Sequence, residues 1–122
     1  MTLRIALIVL TAFMVSACKQ QAVSGVHGWS GPQTTVHVDR SGAEITLLCP
    51  TEGWRMTIDR VTRSNDTASL YLTAHRPTDI VAQRITPIHL HWAVKSGLAP
   101  TCVEAMIRID DGRWLPAAEG CR

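Results

Sequence analysis

The sequence predicts an all-β domain, an antiparallel β-sandwich of six to seven strands. Three observations carry that prediction. From Thr34 onward, apolar and polar residues alternate with period two in short runs, the mark of strands with one buried face. Turn-forming clusters separate the runs: Arg40-Ser41-Gly42, Pro50 to Gly53, Ser64-Asn65-Asp66, Arg76 to Asp79, Ser96-Gly97 and Asp110-Asp111-Gly112. No window of this region carries a 3.6-residue apolar stripe longer than a turn or two. Short strands so spaced in a chain of this size indicate a sandwich or a small barrel, and an immunoglobulin-like sandwich is the expectation.

The chain opens on a different kind of segment. Arg4 supplies a short positive flank, and Ile5 to Val15 is an apolar run broken only by Thr11. That length suits the apolar region of a signal peptide and is too short to cross a bilayer as a helix. The segment ends in Val15-Ser16-Ala17-Cys18. This ending resembles the lipobox of bacterial lipoproteins. The resemblance implies a signal peptide over residues 1–17, a diacylglycerol on the Cys18 thiol and a fatty acyl chain, such as palmitate, on its new amino group. It also implies a lipid-anchored protein of the bacterial envelope. Lys19 rather than Asp at the next position resembles the default for the outer membrane, facing the periplasm. At about 0.8 kcal/mol per buried CH₂, several acyl chains on one residue anchor almost permanently.

Removing residues 1–17 leaves 105 of the 122, enough for one domain with a modest core. Loss of Arg4 brings the formal net charge from +2 to +1. So even a balance, with no basic cluster interleaved with aromatics, argues against nucleic acid as a partner. Residues 18–33 carry Ser24, Gly25, Gly28, Ser30, Gly31 and Pro32 and read as a flexible linker. Trp29 is the exception, expected to fold back onto the first strand.

Residues 34–122 form the domain. Val36 and Val38 alternate with His37; Ala43, Ile45 and Leu47 with Glu44 and Thr46; Met56 and Ile58 with Thr57 and Asp59. Ala68, Leu70, Leu72 and Ala74 alternate with Ser69, Tyr71, Thr73 and His75. Ile88, Leu90, Trp92 and Val94 alternate with His89 and His91, and Val103, Ala105, Ile107 and Ile109 with Glu104, Met106 and Arg108. Arg113–Pro116 is the expected seventh strand.

Cys49, Cys102 and Cys121 remain besides Cys18, and an exported protein can form disulfides. Asp111-Gly112 is a two-residue hairpin signal. Pairing about it sets Cys102 opposite Cys121 and Pro116 opposite Ile107, so a Cys102–Cys121 bridge is expected, with a bridge through Cys49 as the alternative. The same register makes the cysteines a hydrogen-bonded pair with the wider Cα separation, which a bulge near Pro116 to Gly120 would alter.

Among chemical constellations, His89 and His91 stand out. Two residues apart on a strand, their imidazoles share a face and can begin a zinc or copper site, with His37, His75 or Cys49 as third ligand. The alternative is that both decorate a solvent face. No nucleophile with its base, paired carboxylates or phosphate-cradling loop appears, and the expectation is a noncatalytic protein without a cofactor. Trp92 and Trp114 are expected in the core, whereas Trp54 follows Gly53 in a loop, where a ring either anchors a partner or folds back over the sandwich end.

Residues 50–94 carry a further resemblance. Pro50-Thr51-Glu52-Gly53-Trp54 leads into Met56 to Val61, followed by Leu70 to Thr73, Arg76-Pro77, Val81 to Gln83 and Thr86-Pro87-Ile88. This succession is similar to the C-terminal domain of PrcB-like protease-complex subunits, where a Pro-Thr-Gly-Gly-Tyr loop precedes a strand and a Gln-x-x-Thr-x-Pro segment leads into a later one. Glu52 and Trp54 stand where that family has Gly and Tyr. The resemblance implies a β-rich, noncatalytic domain supporting a partner such as a protease. The loop also resembles that of chagasin-type cysteine-protease inhibitors at Pro50, Thr51, Gly53 and Trp54, with Cys49 replacing the family's Asn. Both comparisons make Pro50, Thr51, Glu52, Gly53 and Trp54 the expected surface for an envelope protein.

Overall fold

The computed structural model describes residues 28–122; Cys18 and the segment 1–17 lie outside the described residues. Seven strands follow in order: β1 (Gln33–Asp39), β2 (Gly42–Cys49), β3 (Arg55–Ser64), β4 (Thr67–His75), β5 (Thr86–Ala93), β6 (Cys102–Ile109) and β7 (Leu115–Cys121). They form a three-stranded sheet, β1-β2-β5, and a four-stranded sheet, β3-β4-β6-β7. The alternating residues of β1, β2, β4 and β6 point into one core. Ile45, Leu47, Leu70, Leu72, Val103, Ala105 and Ile107 are fully buried there, each large aliphatic contributing about 1.5–3 kcal/mol.

The expected all-antiparallel arrangement needs one correction. β4 and β6 run parallel, from Thr67↔Cys102 to Ala74↔Ile109. After β4 the chain crosses to the other sheet, pairs as β5 with β2 and returns, and that excursion supplies the long crossover a parallel pair requires. β3 is one edge of its sheet, and beyond a register shift between Ile58 and Arg60 its residues are exposed.

Tight turns have local causes. Between β1 and β2 the Asp39 carboxylate accepts the Ser41 backbone N–H (2.8 Å) and hydroxyl (2.6 Å), which holds its pKa below the usual value. Gly42 closes the turn at φ +139°, and a Cβ there would lie 1.8 Å from the Trp92 carbonyl oxygen, so only glycine admits β5 alongside. Trp29 is buried, its indole N–H bonded to the Pro32 carbonyl (3.0 Å), so core contacts reach into the stretch read as linker.

The seventh strand is also corrected, to Leu115–Cys121. Its ladder holds Cys102↔Cys121 through Ala105↔Ala118, then shifts to Met106↔Pro116, leaving Ala117 as the extra residue. The turn is displaced with it: positive φ falls on Asp110, and the Gly112 N–H bonds the Ile109 carbonyl. Turn and bulge each move the register by one, and the two offsets cancel at the cysteines. Cys102 and Cys121 are joined, their Cα atoms 4.0 Å apart, as expected from the sequence. Cys49 is a free buried thiol, which removes the alternative bridge.

Candidate functional site

The expected loop lies at the sandwich end where the N-terminal stretch, the β2–β3 connection and the long β4–β5 connection meet. Trp54 does not project as a free anchor. It is half-buried against the core edge, and its indole N–H donates to the Thr51 hydroxyl (3.1 Å). The loop is braced from outside by the β4–β5 connection. The Glu52 N–H donates to the Ala82 carbonyl (3.2 Å), and the Arg84 guanidinium binds the Glu52 carboxylate, Nε to Oε2 at 2.7 Å. Gly53, at φ +88°, admits this neighbour: a Cβ there would stand 2.9 Å from the Pro77 Cβ.

The folded-back ring forms part of a groove of about 480 Å³. Pro32, Leu48, Pro50, Trp54, Ile85 and Ile109 give it apolar walls, and Arg76 supplies the one charge. Asp110 accepts the Arg76 backbone N–H (3.1 Å) and faces its exposed guanidinium at 3.9 Å. Ile85 is 72% exposed and Leu48 39%, so apolar surface remains open at the rim. Of the five expected loop residues, Pro50 and Trp54 line this groove, Glu52 and Gly53 hold the bracing connection, and Thr51 fixes the ring.

The histidines separate. His89 and His91 project from the exposed face of β5, opposite the half-buried Ile88, Leu90 and Trp92. His75 is on the other sheet, hydrogen-bonded to Thr57 (3.2 Å). Cys49 faces the core, and burial pushes its thiol up to about 11. Neither can join His89 and His91 as a ligand; His37, on β1, shares their sheet.

Trp114 is corrected from core to outer surface. It lies on the outer face of the four-stranded sheet, edge-on to Tyr71 with ring centroids 5.7 Å apart, and in contact with the Arg60 and Arg108 guanidinium groups, 5.7 and 4.2 Å from its centroid. Its Nε1 is buried without a hydrogen-bond partner. Arg108 further donates to Thr73 (2.9 Å) and pairs with Asp59 (3.4 Å). The sequence signal was Tyr71 and Arg108, both at outward positions of their strands.

No protein-family model, no curated protein and no solved structure matches this chain.

Proposed function

We propose that this chain is a noncatalytic binding module, held on the bacterial envelope through a lipidated Cys18 and facing the periplasm from the outer membrane. Its groove receives an apolar segment of another envelope protein. The observation that carries this reading is the groove itself: proline and tryptophan walls braced by a second loop, open isoleucine and leucine at the rim, and one arginine. Rigid apolar concavities with a single charged group are where protein anchors bind, and a carboxylate beside the partner's apolar residue complements Arg76. The PrcB-like and chagasin-like resemblances name a protease as one such partner. An immunoglobulin-like reading of the sandwich is supported by the order β1-β2-β5, which follows that fold's strands A-B-E; β4 rather than β3 beside β6 marks the departure.

The test is crosslinking and affinity recovery of tagged full-length protein from native membranes. A stoichiometric partner is expected with wild type and with Leu98→Glu, an exposed change in the distant β5–β6 connection. Its recovery drops with Ile85→Glu and with Trp54→Ala. A partner retained by both groove variants and lost with Leu98→Glu disproves the loop assignment, and no partner in any sample disproves the function.

A further inference from the structure

Strand pairing brings one carboxylate to the histidines that the linear sequence does not connect with them. Glu44 on β2 stands directly opposite His91 on β5, and on its other side opposite His37 on β1. The adjoining row places Thr46 opposite His89. His37, Glu44, His89 and His91 are all exposed, on the sheet face turned away from the core. Directly opposed residues have Cβ atoms about 4.5–5.5 Å apart. Residues two apart on one strand are separated by about 6.5–7 Å. Two imidazoles and a carboxylate on such a triangle can reach one point above the sheet at metal–ligand distances of about 2.0–2.2 Å. Thr46 and His89 share a hydrogen bond at 2.9 Å through Nδ1; in the tautomer whose Nδ1–H donates to the Thr46 hydroxyl, Nε2 keeps its lone pair for a metal.

We propose that Glu44, His89 and His91 bind one zinc ion, with Thr46 positioning the His89 ring and His37 flanking the Glu44 carboxylate. Two neutral imidazoles with one carboxylate suit zinc and leave a fourth position for water. As the side chains stand, the only three candidate donor atoms within 4.8 Å of one another among the described residues are those of Cys102, Glu119 and Cys121, and both of those sulfurs are in the disulfide. Loading therefore requires rotamer changes at Glu44 and the histidines, which exposed side chains make on the picosecond-to-nanosecond scale. The groove touches this sheet face only at Leu48, two residues beyond Thr46, and none of the three ligands lines it, so zinc binding and partner binding are read separately.

The experiment is calorimetric titration of the chelator-treated full-length protein in detergent micelles with zinc chloride. One zinc per chain is expected, and His89→Ala, His91→Ala and Glu44→Gln each weaken it by about tenfold or more. Thr46→Val weakens it less, and His75→Ala, on the opposite sheet, leaves it unchanged. In nitrogen-15 spectra, zinc shifts the ring resonances of His89 and His91 and not those of His75. No saturable heat up to about 100 µM zinc overturns the proposal. So does binding that survives Glu44→Gln at wild-type affinity, or ring shifts confined to other histidines.

Discussion

Replacing both Cys102 and Cys121 by serine tests how the β6–β7 hairpin is held. The bond closes a loop with a sequence separation of 19. In the chain-entropy treatment, a loop of that length confines the unfolded chain by about 3 kcal/mol. The folded side of the balance changes little, because β7 keeps other attachments. Its ladder to β6 runs from Val103↔Gly120 to Ile107↔Leu115, and Gly120 lies against the Val36 carbonyl of β1. The Arg122 N–H bonds the Thr101 carbonyl (2.9 Å), and its guanidinium reaches the Pro100 and Ala99 carbonyls (both 3.1 Å). For a domain of this size, the loss lowers Tm by roughly 12–25 °C. Thermal unfolding followed by circular dichroism measures it, with wild-type thiols counted under denaturing conditions to establish the bond. A drop below about 5 °C refutes the confinement argument. Rapid amide exchange across Ala117 to Gly120 in the folded variant would instead show that the bond itself holds β7 in place, and would refute the claim that the folded side is unchanged.

Further outcomes follow from four single features. Cys49, its thiol raised to about 11 by burial, is ~0.1% thiolate at pH 8, so iodoacetamide modifies it only on unfolding. Its folded-state pKa lies above the ordinary value of 9.0, so the stability tied to its protonation is complete below pH 9 and is lost as pH rises through about 11, measurable as an alkaline fall in Tm that Cys49→Ala removes. Gly42→Ala forces a Cβ to within 1.8 Å of the Trp92 oxygen and requires β5 to move from β2; denaturant unfolding should show a loss of at least about 3 kcal/mol. Arg108→Ala removes the contact with Trp114, the hydrogen bond to Thr73 and the pair with Asp59, for about 1–3 kcal/mol and a change in tryptophan emission. On the proposed lipidation of Cys18, Cys18→Ser abolishes palmitate labelling and releases the protein from the membrane fraction, and labelling that persists disproves that proposal.

Alternation along one strand is a local property, and it reported local facts well. The inward residues named on β1, β2, β4 and β6 are buried to within a few per cent exposure, except Ile109 at the end of β6, because period two depends only on which side of the backbone each Cβ leaves. β3 shows where that ends. Met56 and Ile58 alternate as expected, but an edge strand with a bulge has nothing to bury its second half against. The Pro116-Ala117-Ala118 run hid most of β7, since two consecutive buried alanines around a bulge break the alternation that marks a strand. The cysteine pairing was legible only because the displaced turn and the bulge compensate.

Neighbourhood across strands is a different kind of information, and it decides the candidate sites. Alternation cannot say that β6 lies beside β4 and parallel to it, so it could not place Met106 next to Tyr71 or bring Trp114 onto that outer face. Nor could it set Glu44 between His37 and His91, which requires the registers of two separate ladders. The groove has the same origin: Pro32, Pro50, Ile85 and Ile109 come from four stretches that meet only once the sheets have stacked. Inward residues answer to a core that any sandwich must have, so their pattern is strong in the sequence. Outward residues face solvent or their cross-strand neighbours, so what they can assemble depends on which strands lie side by side. The candidate sites therefore draw on residues from separate strands and loops, and they become readable once the registers and the stacking of the sheets are known.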